Sequence, residues 1–250
     1  MIAAGPSRIL TSLFRKGDVR CTPRKSAYLE HMTARCDLVI PCRDEAAALP
    51  PLLAAIHEDF RVIVVDNGSR DGTADVARTC GALVVEERTA GYGAAVHAGV
   101  QAASAPLVAV MDGDGSMDPA DLLPMVTTVE SGLATMAVGR RRPVGPGIWP
   151  WHARVGNQLV LAWLRQRTGL RVRDIAPMRV CPRGALLALN VRDRRFGYPV
   201  ELLARAQQAG WVLAEHDIGY HPRAAGTASK ISGSISGSLK TAYDFAKVLP

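Results

Sequence analysis

Between residues 37 and 138 the chain repeats one pattern: a short apolar run, a polar break, then apolar residues spaced three and four apart. Unbroken apolar runs of this length mark strands buried on both faces, and the wider spacing marks helices with one buried stripe. The runs predict strands at 37–41, 61–65, 82–85, 107–111 and 135–138. The spacing predicts helices at 44–57, 71–79, 91–103 and 118–131. Leu49, Leu52, Leu53 and Ile56 share a face of the first helix; the fourth should open with Asp118 as N-cap, Pro119 at N1 and Asp121 at N3. Strands alternating with helices give an α/β fold, a mostly parallel central sheet with helices on both faces, which binds ligands at the carboxyl ends of its strands.

After residue 138 the pattern loosens. A loop, GRRRPVGPGIWPWH, is expected over 139–152, then a helix at 153–168 with Val155, Leu159, Val160, Trp163 and Leu164 on one side. DIAPMR (174–179) reads as a loop, followed by helices at 184–189 and 199–209 and a strand at 211–218. A last helix, 231–249, carries Ile231, Ile235, Leu239 and Tyr243 but is weakened by Gly233 and Gly237. Residues 1–35 are basic, broken by glycine and proline, and show no sustained periodicity, so they read as a disordered arm ahead of a single domain at 36–250. Met32 is an alternative natural start.

Composition changes this picture in one place. The net charge is +7, yet residues 131–173 alone carry eight arginines (140, 141, 142, 154, 165, 167, 171, 173) and no acid. The remainder sums to −1, so the basicity is local and suits a phosphate-bearing or anionic partner. Three of the four tryptophans (149, 151, 163) fall in the same region, either packing on the sheet or meeting a membrane interface beside the arginines. Mean hydropathy is +0.07, and no apolar run approaches the length of a membrane span. The five cysteines form no CxxC pair and no zinc-like spacing, and are expected as reduced thiols.

The candidate chemistry lies at strand ends. Asp44 and Glu45 follow the first strand, Asp66 the second, and Asp112 and Asp114 the fourth. Two carboxylates one residue apart raise each other's pKa unless a cation sits between them, and a hard divalent ion completed by phosphate oxygens meets that need. Asp44 is equally placed to cap the first helix. A dinucleotide-binding Rossmann domain is excluded. The first strand runs into PCRDE without a glycine-rich turn, and the glycines of GYGAAVHAG (91–99) follow the third strand at the wrong spacing for pyrophosphate.

Six ordered motifs carry a resemblance: VIPCRDE (39–45), VVDNGSRDGT (64–73), GYGAAVHAG (91–99), DGDGSMDP (112–119), FGYPVELLARAQQAGW (196–211) and HPRAAGTASK (221–230). Together they resemble the family 2 glycosyltransferases of the GT-A fold, and more narrowly are similar to dolichyl- and polyprenyl-phosphate sugar synthases. Two departures stand out. Asn67 replaces the second Asp of the usual pair, and DIAPMR stands where such relatives have a Ser-Gly-Phe-Arg-like stretch.

The resemblance implies a metal-dependent, inverting hexosyltransferase using a UDP- or GDP-linked sugar. Mg²⁺ or Mn²⁺ would sit on Asp112 and Asp114, with His221 as a further ligand. Pro41, Arg43, Glu45, Asp66, Gly93, Asp112, Arg223, Ser229 and Lys230 would bind the nucleotide sugar. Arg223 and Lys230, on a closing loop hinged at Gly226, would act with Asp114 on the leaving diphosphate, and Asp174 would serve as base for a hydroxyl acceptor. Arg140, Arg141 and Arg179 would hold a lipid phosphate acceptor, placing the enzyme in the cytoplasm, peripheral on the inner face of the cell membrane, with no nucleic acid as partner. Two alternatives stand beside this: a soluble transferase with a small hydroxyl acceptor, and a non-catalytic basic module binding anionic membrane or nucleic acid. The last leaves the acids at three strand ends unexplained.

Overall fold

The computed structural model describes residues 34–224. Residues 1–33 of the expected arm, Met32 among them, the hinge Gly226, Ser229, Lys230 and the helix at 231–249 lie outside them, while Arg35 of that arm pairs with Glu130. A seven-stranded sheet runs in the order β3-β2-β1-β4-β6-β5-β7. Its strands are β1 Cys36–Cys42, β2 Phe60–Asp66, β3 Leu83–Glu86, β4 Leu107–Val110, β5 Met136–Pro143, β6 Arg179–Pro182 and β7 Leu213–Tyr220. All run parallel except β6, which is antiparallel to β4 on one side and β5 on the other. The helices are α1 Leu49–Ala55, α2 Thr73–Thr79, α3 Tyr92–Ala102, α4 Leu122–Glu130, α5 Trp151–Thr168, α6 Arg183–Ala188 and α7 Tyr198–Gln208.

Because side chains alternate along a strand, each strand feeds two cores. Leu38, Ile40, Val62, Val64 and Ala109 pack under α1 and α4 with Leu52, Leu53, Met125 and Val126. Val39, Ile63, Val65, Val108 and Val110 pack on the other face, with Val96, Leu161, Leu164 and Leu203 from α3, α5 and α7. At the amino end of β1, Asp37 is fully buried and accepts two hydrogen bonds from Arg61 at 2.6 Å and two more from the Ser104 and Ala105 amides. A buried pair so fully hydrogen-bonded is costly to break, by about 3–5 kcal/mol for loss of one partner.

Three expectations are corrected. The first helix begins at Leu49, not residue 44, because Pro50 and Pro51 fit only the first turn, where an amide hydrogen is not needed. Asp44 is therefore no helix cap: its backbone is left-handed, its carboxylate accepts from the Arg70 amide at 2.8 Å, and its own amide donates to Ser69 Oγ. Secondly, residues 139–143 are strand, since β7 pairs with β5 from Met136 through Pro143. Thirdly, the end of the DIAPMR stretch opens β6, a strand too short to show its own periodicity. Asp118 does cap its helix start, accepting from the Ala120 amide at 2.9 Å. Asp121 instead accepts from Gly219 of β7. Cys36, Cys42 and Cys181 are buried thiols, whereas Cys80 is disulfide-bonded, so the expectation of reduced thiols holds for three and fails for Cys80.

Candidate active site

The carboxyl ends of β1, β2 and β4 meet along one edge of the sheet. The turn after β1 and the turn after β2 brace each other: the Glu45 amide donates to Thr73 Oγ1, the Ala46 amide to Asp71, and the Asn67 amide to the Cys42 carbonyl. Asp66 closes β2; its Oδ2 accepts from the Ser69 amide, and its buried Oδ1 has no hydrogen-bond partner among the described residues. Pro41 lies within β1 opposite Val65, while Arg43 is exposed on the turn.

The acidic turn Asp112–Gly113–Asp114 follows β4 after one buried residue, Met111. A Cβ on Gly113 would stand 2.5 Å from both Cys42 Sγ and Glu45 Oε2, so only glycine lets this turn press against the one after β1. Burial and the neighbouring Asp114 push the Asp112 carboxyl up to about 6, against the pull of Arg179, Arg141 and Arg223. Asp114 is buried; one oxygen accepts the Ser116 amide at 3.0 Å, the other Arg223 Nε at 2.5 Å. The segment after β7 is laid along this turn: the His221 amide donates to the Ser116 carbonyl and the Ala224 amide to the Asp114 carbonyl.

The three arginines expected at the acceptor separate. Arg140 and Arg142 share one face of β5 and both pair with Asp217. Arg141 points to the other face, where its Nε and Nη2 bind both oxygens of Asp174 at 2.8 and 2.6 Å and its amide adds a third bond. Its guanidinium also lies 4.1 Å from the Trp149 ring centroid and 5.5 Å from that of Tyr220. Burial works against the Arg141 charge, but Asp174 more than offsets it and holds the pKa up. Arg179 is almost wholly buried at the start of β6; its Nε donates to the Ala176 carbonyl and its Nη1 has no hydrogen-bond partner among the described residues.

At four expected site positions the structure shows other contacts. Arg140 is turned away from Arg141 by strand alternation and belongs to a surface pair. Asp174 is buried and committed to Arg141, which suits positioning rather than proton abstraction. Gly93 is buried; its amide donates to the Arg195 carbonyl, and a Cβ there would lie 2.6 Å from the Asp193 carbonyl oxygen, so its smallness serves packing. His221 does not join the two aspartates: among the described residues no group of three or more His, Cys, Asp or Glu side chains is set to hold a metal. The His221 ring instead folds back on Gly219.

Two parts of this framework have roles that no local pattern shows. Asn67 donates to the carbonyls of Glu87 and Thr89 and accepts the Gly91 amide, fixing the approach to α3. An Asp could not make those two donations, so the departure from the usual Asp pair has a structural use. Glu201 gathers the Arg192 and Asp193 amides and Arg205, pinning the loop that meets the start of α3.

A mostly parallel sheet with paired carboxylates at the end of its central strand is the layout of a GT-A glycosyltransferase. The model of the family described as Glycosyl transferase family 2 matches residues 37–189, and the chain belongs to that family. An uncharacterized glycosyltransferase of Mycobacterium tuberculosis is 54% identical over 213 residues, covering 85% of this chain and 96% of its own. The polyprenol monophosphomannose synthase of Mycolicibacterium smegmatis is 30% identical over 222 residues, covering 81% of this chain and 83% of its own. The glucosyl-3-phosphoglycerate synthase of Mycobacterium tuberculosis, solved with Mn²⁺, uridine diphosphate and glucosyl-3-phosphoglycerate, superposes with a TM-score of 0.68 at 20% identity, over 88% of this chain and 82% of that one. It shares the fold. The protein is thus a glycosyltransferase, and no helix among the described residues is long and apolar enough to cross a membrane.

Proposed function

We propose that this enzyme moves a hexose, with inversion, from a nucleotide diphosphate sugar to a lipid-linked phosphate of the polyprenyl phosphate kind at a membrane surface. The observation that carries the proposal is the charge arrangement at the acidic turn. Arg141, Arg179 and Arg223 all act on Asp112, giving a site built for several phosphate oxygens at once. A phosphate acceptor is already anionic at neutral pH and needs no base, which agrees with the commitment of Asp174 to Arg141. The 30% identical polyprenol monophosphomannose synthase supports the same acceptor class.

The residues fit a divalent metal. Asp112 and Asp114 offer hard oxygen donors, and the raised Asp112 pKa marks a charge that a cation would relieve. Mg²⁺ or Mn²⁺ bound there would supply Lewis-acid stabilisation of the leaving diphosphate. Asp66, whose buried Oδ1 has no donor among the described residues, would accept from the nucleoside, and Arg179 Nη1, likewise without a partner among them, would donate to an anionic oxygen. Arg223 would turn from Asp114 to phosphate as substrate enters. Arg43, Glu45, Ser229 and Lys230 complete the proposed donor site, and the cytoplasmic face of the membrane is its proposed location.

The test is transfer from UDP- and GDP-sugars, with Mg²⁺ or Mn²⁺, to a short polyprenyl phosphate and to the matching polyprenol in detergent. Product with the phosphate and none with the alcohol is expected. Transfer to hydrophilic hydroxyl acceptors, with none to polyprenyl phosphate, would return the enzyme to the alternative of a small soluble acceptor.

A further inference from the structure

Helix α5 carries its apolar residues on the wrong side for a core helix. Trp151, Val155 and Leu159 recur every four residues and form one stripe, with exposures of 76%, 48% and 66%. Asn157, Leu161 and Leu164, which anchor the helix to the sheet, lie on the opposite side. A packing face is therefore already present, and the stripe is surplus to folding. The three tryptophans divide accordingly. Trp149 packs on Arg141 and Tyr220, Trp163 is half-buried beside Arg167, and Trp151 is exposed, edge-on to its neighbour His152.

Charge identifies what the stripe meets. Exposed Arg154 and Arg165 border it on one side and Arg167 lies beyond it on the other, in a segment of 43 residues without a single acid. An apolar stripe with a tryptophan at one end, edged by arginines, matches an interfacial helix lying in the headgroup layer of an anionic bilayer. The helix of 18 residues extends about 27 Å along such a surface. Its position links it to the chemistry: only Pro150 separates Trp151, exposed at the start of the helix, from Trp149, which stacks on Arg141 near the acidic turn. We infer that the Trp151–Val155–Leu159 stripe of α5 is the docking surface by which the enzyme lies on an anionic lipid membrane, with the Trp151 end of the helix nearest the catalytic edge. This rests on the lipid-acceptor reading above and deepens it by naming the element that meets the bilayer.

The experiment is co-sedimentation of the full chain with phosphatidylglycerol-rich vesicles and with pure phosphatidylcholine vesicles, without nucleotide sugar or acceptor. The wild type should pellet with the anionic vesicles. Trp151→Ser with Leu159→Ser should weaken partitioning about tenfold or more at any salt concentration, and Arg154→Glu with Arg165→Glu only at low salt. Circular dichroism and melting temperature should be unchanged, since these side chains touch no core. Wild type left in solution overturns the inference, as does equal pelleting of the stripe variant. Two further outcomes also overturn it: a wild-type dimer that Leu159→Ser dissociates, making a second copy the occupant, and vesicle binding only after residues 231–250 are deleted, making that segment the cover. Because no transfer is measured, vesicle binding by a protein that glycosylates no polyprenyl phosphate would sink the proposed activity and leave the docking surface standing.

Discussion

Arg223 Nε lies 2.5 Å from Asp114 Oδ2, so the arginine that follows β7 neutralises the second carboxylate of the acidic turn. A divalent cation held as proposed would need that oxygen, so the two would compete. Arg223→Gln should therefore tighten Mn²⁺ binding severalfold in the absence of nucleotide, in line with about 1 kcal/mol for a partly exposed ion pair. Titration calorimetry with Mn²⁺ alone checks this; unchanged or weaker binding would show that Arg223 does not compete.

Asp112 gives a dependence on pH. Its native carboxyl holds its proton up to about pH 6, whereas the unfolded chain releases it near 4. Across that window the native state binds more protons than the unfolded state, so this group's contribution makes stability fall as pH rises. Asp112→Asn should flatten that slope and, with a chelator present at pH 7, raise the melting temperature by a few degrees. An identical slope in wild type and variant, from thermal melts at pH 4 to 7, would argue that the charge is not strained.

Asp174 separates positioning from base catalysis. Its three hydrogen bonds from Arg141 hold the guanidinium against Trp149. Removing the charge in Asp174→Asn should cost roughly 3 kcal/mol of stability and raise KM for the acceptor more than it lowers kcat. The pH profile of kcat should keep its shape. Loss of the acidic limb of that profile, with KM unchanged, would restore Asp174 as a base.

Asn67→Asp restores the residue that the resembled family usually carries, yet here it should harm. Two carbonyls, those of Glu87 and Thr89, would lose their donor and face a carboxylate. A loss of about 1–3 kcal/mol is expected, with faster amide exchange over residues 87–91. Equal stability and exchange would mean that the loop is held by other contacts.

The amino-acid sequence alone determined what is local. Apolar runs and helical spacing specify the strands and helices up to residue 138 because each pattern is written within a dozen residues, and Asp118 caps its own helix start two residues away. The acidic turn was legible for the same reason, as an apolar strand running straight into Asp112 and Asp114. Tertiary structure decided whatever depended on distant partners. β6 exists because four residues find β4 on one side and β5 on the other, and β5 continues through its arginines because β7 pairs with them residue by residue. The same holds for charge: Arg141 and Asp174 are 33 positions apart and Arg223 and Asp114 are 109 apart. No spacing rule relates residues so far apart; the sheet sets them within hydrogen-bond reach, giving Asp174 a guanidinium to hold and Asp114 a counter-ion.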